Sequence, residues 1–407
     1  MKRLLFILVI SIFACSEENV TPSKDTEKAI SDLRKVSSDF TTKSNSFNFS
    51  LFQKVNSQAE PDENLLISPL SINLALGMLL NGADGNTAEQ IKNVLGWSDE
   101  DMNVVNENYK NIIISLPSLD NAVELGIANA LWHHEPFTIK DNFLTTLDNK
   151  FDAEINAYDF NKAEAPEVIN NWVENNTNGL IKKIIDKISP SEVMFLLNAL
   201  YFKGDWTTQF DKSQTQKLPF KNINGITSEV EMMMLKEVDL DVSVRDEFTV
   251  FDLPYGDEVF SLAIVLPNKE ESLEAVLKEI NAEEWDSFDE TKSSREVIVG
   301  LPKFELNYNI TLNEVLKELG ITDVFNASMS DLSQISEQQL NVSEVKHKTY
   351  MKVDEEGTEA AAVTSIGVEV TSIGDEPLIL KCDRPFAFFI YEKELGNILF
   401  SGKIVSL

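Results

Sequence analysis

Residues 358–370, near the C-terminus, have the pattern of a β-strand within what otherwise looks like a loop. Read with period two, one face holds only small, β-branched or apolar side chains, while Glu359 and Glu369 fall on the opposite face. Such alternation is typical of a half-buried strand. Gly357 and Gly374 bracket the segment, as in an exposed loop. The pattern fits a surface loop, an edge strand, or a loop that can also become a strand.

The overall charge excludes several classes of partner. The 407 residues include 67 Asp and Glu against 35 Lys and Arg, a formal net charge of −32. Nucleic acids and anionic lipid surfaces require a basic face, so we expect neither as a partner. The hydrophobic fraction of 43% is sufficient for a sizeable core. With no internal repeat and no second linker, we expect one α+β domain.

The first 16 residues have the pattern of a secretory signal. Lys2 and Arg3 precede an apolar run over residues 4–13, which is too short to span a bilayer. Residues 12–15 resemble a bacterial lipobox, which implies that Cys15 is lipidated and becomes the mature N-terminus. We therefore expect an extracellular lipoprotein anchored at a bacterial outer membrane, with plain secretion as the alternative. A lipidated Cys15 would leave Cys382 alone, with no intramolecular disulfide.

The folded domain is predicted to begin near Ser44. Residues 16–43 are polar and rich in Ser, Thr, Lys and Asp, which indicates a tether that is helical at most near its end. We therefore divide the chain into a signal peptide with lipobox (1–15), a tether (16–43) and a single domain (44–407).

Two internal stretches show where buried strands and capped helices should lie. In residues 64–91, a short apolar strand meets Ser68, an N-cap residue, with Pro69 at the first helical position. Residues 192–202 form an apolar run interrupted by Asn198, which predicts a strand buried on both faces.

Several blocks together resemble one family. The run from Glu355 to Ala362, EEGTEAAA, is similar to the hinge of the serpins, the serine protease inhibitors. Residues 64–91, 198–206 and 301–325 resemble further blocks of that family, in the same order. Residues 383–388 and 397–403 resemble its closing strands. The resemblance implies a serpin-like α+β domain with three β-sheets, eight to nine helices and an exposed reactive-centre loop at about residues 355–380.

The resemblance also implies roles for single residues. In serpins a hinge opens the loop, a shutter lies under the point where the central sheet opens, and a breach marks the entry at the top. The matching positions are Glu355, Gly357, Thr358, Ala360, Ala361 and Ala362 in the hinge, Ser68, Ser71, Asn198 and His347 in the shutter, and Trp206 at the breach.

By the same resemblance, the loop presents a cleavage site to a target protease. Cleavage frees its N-terminal part to insert as a new strand, and the protease is trapped in a covalent 1:1 complex. Position places the reactive bond at Thr371–Ser372, with Val370–Thr371 or Ser372–Ile373 as alternatives. No Arg or Lys lies between residues 355 and 380. We therefore expect elastase-like serine enzymes, or papain-like cysteine enzymes, as targets rather than trypsin-like ones.

An enzyme is the main rival class. His133 and His134 precede Glu135, but no second histidine follows at the spacing of a zinc-protease helix. The sequence has no G-x-S-x-G nucleophile elbow and no phosphate-binding loop. We expect a monomer without enzymatic activity, cofactor or metal. A non-inhibitory serpin that acts as a binding or carrier module is the remaining alternative.

Overall fold

The computed structural model describes residues 23–358 and 377–407. The predicted signal peptide with Cys15 lies outside these ranges. So do the hinge residues Ala360, Ala361 and Ala362 and the reactive-bond candidates Val370, Thr371, Ser372 and Ile373.

Helices pack against both sheets and enclose part of the core. The described ranges contain ten α-helices, and no helix in them is long and apolar enough to cross a membrane. They are α1 (Lys24–Leu33), α2 (Ser38–Gln58), α3 (Pro69–Leu80), α4 (Gly85–Leu95), α5 (Met102–Ser115), α6 (Asp141–Phe151), α7 (Ala165–Asn176), α8 (Leu273–Glu279), α9 (Ala282–Thr291) and α10 (Asn313–Leu319).

The strands follow a largely antiparallel plan. They are β1 (Leu65–Ile67), β2 (Val123–His134), β3 (Ala153–Tyr158), β4 (Met194–Asp205), β5 (Gln216–Lys221), β6 (Thr227–Val244), β7 (Phe248–Tyr255), β8 (Phe260–Pro267), β9 (Ser293–Pro302), β10 (Phe304–Thr311), β11 (Lys346–Val353), β12 (Gly357–Thr358), β13 (Leu378–Lys381), β14 (Phe386–Glu392) and β15 (Ile398–Ile404).

These strands form two hydrogen-bonded sheets within the described ranges, so the α+β class is confirmed. A six-stranded sheet has the order β10-β11-β12-β4-β2-β3, and a nine-stranded sheet has the order β1-β15-β14-β8-β7-β6-β9-β13, with β5 on β6. Three separate sheets were expected. The described ranges form two sheets instead, because the long strand β6 pairs successively with β5, β9 and β7. It thereby joins neighbouring layers into one hydrogen-bonded sheet.

The N-terminal segment corrects the expected tether. The Ser23 hydroxyl accepts a hydrogen bond from the Thr26 amide (3.1 Å) and caps α1, which begins at Lys24. Leu33 and Val36 are buried in the main core. Ordered structure therefore begins well before Ser44, and α1 accounts for one helix more than the upper limit of nine. A few apolar side chains on one face suffice to dock a polar helix.

The helix after β1 links the two sheets. The Ser68 hydroxyl accepts a hydrogen bond from the Ser71 amide (3.2 Å), and Pro69 occupies the first helical position, as predicted. The helix that follows, α3, is buried on nearly all sides. Because α3 packs against both β4 and β15, it holds Ser68 and Ser71 beneath the six-stranded sheet.

Candidate functional site

The first residues of the hinge already occupy a strand position. In β12, Thr358 lies opposite Val353 of β11 and Gly204 of β4. The Thr358 side chain is 2% exposed, and its hydroxyl lies 2.7 Å from the hydroxyl of Tyr255. The predicted inward face of the segment is therefore confirmed at its first residue.

Close backbone contact explains the glycine at the start of this strand. A Cβ atom at Gly357 would lie 2.0 Å from the carbonyl oxygen of Gly204, a distance that no real side chain tolerates. On the facing strand, a Cβ at Gly204 would meet the Tyr255 ring at 3.0 Å. The two glycines let β12 enter between β4 and β11 with its backbone close to β4.

Two carboxylates fasten the hinge to the top of the sheets. The Glu355 carboxylate lies 3.2 Å from the Lys303 ammonium and accepts a hydrogen bond from the Thr215 hydroxyl (2.8 Å). Glu356 forms an ion pair with Lys212. Burial raises the pKa of Glu355, but the hydrogen bonds and the Lys303 charge outweigh it and leave that pKa below its usual value. The Glu355 carboxylate is therefore charged at neutral pH.

Trp206 also contacts the hinge, through hydrogen bonds to its backbone. Its ring stacks on Tyr255 with centroids 4.5 Å apart, and its indole N–H donates to the carbonyl oxygen of Asp354 (2.9 Å). The Trp206 backbone N–H donates to the carbonyl oxygen of Glu356 (2.9 Å). Trp206 therefore touches the hinge at the point where the next loop residues would enter the sheet.

Three of the four expected shutter residues are joined by hydrogen bonds. The Ser68 amide donates to His347 Nε2 (2.9 Å), and the Ser68 hydroxyl donates to the Leu399 carbonyl oxygen (2.8 Å) and caps Ser71. Burial lowers the pKa of His347 to about 3, so the ring is neutral. Because Nε2 accepts a hydrogen bond, the proton is on Nδ1.

Asn198 lies on β4 and is not bonded to the other three. Its Nδ2 donates to Asn129 Oδ1 (2.8 Å), whereas its own Oδ1 has no hydrogen-bond partner among the residues that the structure describes. A buried acceptor without a partner is costly. Asn198 is therefore placed to accept a hydrogen bond from a group that enters beside β4.

Below β12, the residues that the structure describes leave the position between β4 and β11 open. A cavity of about 300 Å³ extends from α3 to α7 and is bounded by residues of β4 and β11. Met194, Phe195 and Leu196 of β4 are half-buried, although residues 192–202 were expected to be buried on both faces. The open position beside β4 explains this difference.

Sequence reasoning did not identify several residues of this site. Tyr255, Thr215 and Lys303 contact the hinge from strands or turns more than 50 residues away, so no local pattern marks them. Asn129 does carry a local signal, because it is an Asn in the middle of a strand. In the structure that strand pairs Asn129 with Asn198, which makes the two side chains expected partners.

Comparisons with known proteins agree with this geometry. The sequence profile described as Serpin (serine protease inhibitor) matches residues 42–407. Iripin-1 of Ixodes ricinus is 36% identical over 354 residues, which cover 85% of this chain and 90% of that protein. The native-state structure of the thermophilic serpin Tengpin superposes with a TM-score of 0.83 at 33% identity and covers 91% of this chain and 94% of its own. Thyroxine-binding globulin in complex with thyroxine has a TM-score of 0.81 at 28% identity, covering 90% and 98%.

Proposed function

The chain belongs to the serpin family, whose members are generally protease inhibitors, and we propose that it traps a target protease by inserting its cleaved loop beside β4. The target is a serine, or a papain-like cysteine, endopeptidase with elastase-like preference. The inhibitor is secreted and held at the bacterial surface by lipid on Cys15. It acts as a monomer that forms a covalent 1:1 complex with its target.

The register of β12 is the observation that carries this proposal. Thr358 lies opposite Gly204 of β4 and opposite Val353 of β11, and both pairings are antiparallel. Residue numbers therefore fall along both neighbours as they rise along the loop. If the strand continues without a bulge, loop residues 362–371 face residues 200–191 on one side and 349–340 on the other. Those two stretches line the cavity.

The same register brings one loop residue into the shutter. Thr364 would lie opposite Asn198 on one side and His347 on the other. The Thr364 hydroxyl could then donate to the unpartnered Oδ1 of Asn198, and the His347 Nδ1–H would have an acceptor. The continuing strand would thus supply the partner that the Asn198 side chain lacks across the open position.

The loop cannot insert fully until it is cut. The intact loop is fixed at β12 in one sheet and at β13 in the other, where Leu378 pairs with Val297. Once cut, it would bury Ile366, Val368 and Val370, at about 1.5–3 kcal/mol each. Each new ladder hydrogen bond would add about 0.5–1.5 kcal/mol. The uncut state is therefore held by a barrier rather than by lowest free energy.

Insertion would distort an attached protease. Residues 358–371 are 14 residues (371 − 358 + 1), which extend by about 46 Å at ~3.3 Å per residue. A protease still esterified to Thr371 would be carried over that distance. Its oxyanion hole would lose alignment, and the acyl-enzyme would not be hydrolysed. Inhibition is thus a race between insertion and deacylation.

A carrier or binding module is the alternative. One structural neighbour is described as thyroxine-binding globulin in complex with thyroxine, so the fold occurs in a protein that binds a small molecule. The entry of Thr358 into the sheet supports the inhibitory function instead, as do the small hinge side chains of Thr358, Ala360, Ala361 and Ala362.

The test is to mix the protein with an elastase-like protease and analyse the products on a denaturing gel. We expect a covalent band and a released peptide that begins at Ser372. The cleaved protein should also resist heat better than the intact one. Cleavage with neither a covalent band nor a gain in heat stability would contradict the inhibitory proposal and favour the carrier function.

The anchor needs its own experiment. The Cys15→Ser variant, expressed in a Gram-negative host, should move from the membrane fraction to the soluble fraction, whereas Cys382→Ser should not. If both variants stay with the membrane, Cys15 does not carry the anchor.

A further inference from the structure

The cavity beside β4 has an unusual combination of an apolar interior and cationic groups at its edge. Its interior is formed by α3, α7 and β4, with Leu76, Val173 and Leu197 among its apolar side chains. Three lysines and two carboxylates also line it: Lys187, Lys346, Lys348, Glu192 and Glu344. This is unexpected in a chain with a net charge of −32.

Two of these lysines have no carboxylate partner within residues 23–358 and 377–407. Lys346 pairs with Glu344 (3.2 Å) and with Asp186 (3.6 Å). In contrast, the Lys348 ammonium donates only to the backbone carbonyl oxygen of Lys183 (3.2 Å), and no carboxylate of the described residues lies within 4 Å of Lys348 or Lys187. An ammonium beside an apolar cavity can bind an anion by a charge-assisted hydrogen bond.

The neighbouring carboxylates are already engaged. Asp186 pairs with Lys183 (2.7 Å) as well as with Lys346, and Glu192 accepts hydrogen bonds from the Ser189 amide (2.6 Å) and the Ser343 hydroxyl (3.1 Å). They therefore do not neutralise Lys348 or Lys187.

The strand geometry places Lys348 at the outer opening. Along β11, His347 and Thr349 are buried and bond toward the Ser68 and Leu66 backbone, so the alternate residue Lys348 is on the opposite face. Its contact with the Lys183 carbonyl shows that it extends toward the segment after α7. A ligand in the cavity would meet this ammonium at the exit.

We propose that this cavity binds an anionic amphiphile, a carboxylate with a single apolar chain, whose tail fills the interior and whose head group binds Lys348 and Lys187. A volume of about 300 Å³ corresponds to about ten water molecules at ~30 Å³ each, and so to a chain of about ten carbons. Such sites, with an apolar lining and a few placed polar groups, are typical for small ligands.

The proposal also has a regulatory consequence, which rests on the proposed inhibitory function. The ligand occupies the volume that loop residues 362–371 would fill. A bound ligand must therefore leave before the loop can insert fully. Occupancy slows insertion relative to deacylation and turns the inhibitor into a substrate.

Binding is tested on the full chain carrying Cys15→Ser, so that no attached lipid competes. Decanoate is titrated by calorimetry, with 1-decanol and decyltrimethylammonium as neutral and cationic controls. We expect saturable 1:1 binding of decanoate and roughly tenfold weaker binding of either control. Absence of saturable binding, or equal binding of decanol, would overturn the proposal.

Variants locate the site. Lys348→Gln should weaken decanoate binding roughly tenfold, whereas Lys348→Arg should stay within about twofold, because it keeps the charge. Lys269→Gln removes an exposed lysine that does not line the cavity and should have no effect. If Lys348→Gln fails to fold, Lys187→Gln and the cavity-filling Ala75→Leu provide the same test. Unchanged binding in these variants places decanoate elsewhere and contradicts the assignment.

The regulatory part has a separate readout. Decanoate should lower the fraction of protease trapped in covalent complex and raise the cleaved fraction, and Lys348→Gln should need roughly tenfold more decanoate for the same effect. If the ratio of trapped to cleaved product stays the same at saturating decanoate, the regulatory proposal is wrong. If no covalent complex forms even without decanoate, the inhibitory function has failed, and the calorimetry still decides the binding site.

Discussion

The hydroxyl groups of Tyr255 and Thr358 lie 2.7 Å apart, so the hinge is docked in the sheet before any protease cuts the loop. Tyr255 is fully buried and also stacks on Trp206. The first inward-facing loop residue is therefore already fixed to the core, and it sets the register for the residues that follow.

Replacing Thr358 by Arg should block insertion, because an unpaired charge would be buried against Tyr255. We expect cleavage by the target without a covalent band on a denaturing gel. Thr358→Val, which keeps the shape but removes the hydroxyl, is the control and should retain most of the covalent complex. Equal trapping by the Arg variant would show that the docked hinge does not lead the insertion.

Loss of the Glu355 charge should destabilise the uncut protein. Glu355 pairs with Lys303, and its side chain is 6% exposed, so Glu355→Lys would place two positive charges together. Breaking such a pair costs about 3 kcal/mol, which thermal unfolding would detect as a lower midpoint. Glu355→Gln, which can still accept from Thr215, should cost less. A Lys variant as stable as wild type would contradict this reading.

The contribution of Glu355 should depend on pH. Its folded-state pKa lies below the usual value of 4.5, so its stabilisation is present above about pH 4.5 and is lost as pH falls through the folded pKa. The difference in unfolding midpoint between wild type and Glu355→Gln should shrink when pH is lowered from 7 to 4. A difference that stays constant would mean that the charge of Glu355 is not what stabilises the hinge.

Because of His347, the free energy of unfolding should already begin to fall at a higher pH than the pH range in which Glu355 acts. Burial lowers its pKa to about 3, while the unfolded chain takes up the proton near 6.5. Between these values the unfolded state binds more protons, so stability falls as pH falls, by about 1.4 kcal/mol per pH unit. Protonation would also turn Nε2 into a donor facing the Ser68 amide. His347→Gln should flatten this slope in urea unfolding between pH 6.5 and 5.

A crystal structure of the cleaved protein would test the register. We expect Thr364 between Asn198 and His347, with its hydroxyl donating to Asn198 Oδ1. A shift of one residue would instead turn Glu359 and Glu369 toward the core, where unpaired charges are costly. If the inserted strand pairs with β4 and β11 in any register other than that of Gly357 and Thr358, the loop does not continue β12 as we propose.

The N-terminal helix should contribute to stability. Leu33 is fully buried in the main core, and replacing it by Ala should cost about 2–5 kcal/mol in urea unfolding. Lys28→Ala, on the exposed side of α1, is the control and should change stability little. If Leu33→Ala is neutral, α1 behaves as the tether that composition suggested.

Local sequence determined the elements whose signals lie within a few residues. The small and β-branched face from Thr358 onward predicted a segment that can become a strand, and Thr358 points inward as that pattern required. Ser68 and Pro69 marked the start of α3 for the same reason, because capping depends on neighbours in the chain.

Only the tertiary structure decided which distant residues meet the hinge and where space is left. Tyr255, Lys303 and Thr215 reach it because the order of strands brings them there, and no periodicity encodes that order. The docking of α1 also depends on a surface that other helices provide. The open position between β4 and β11 is a property of two strands far apart in sequence, because a gap exists only where two separate strands fail to pair.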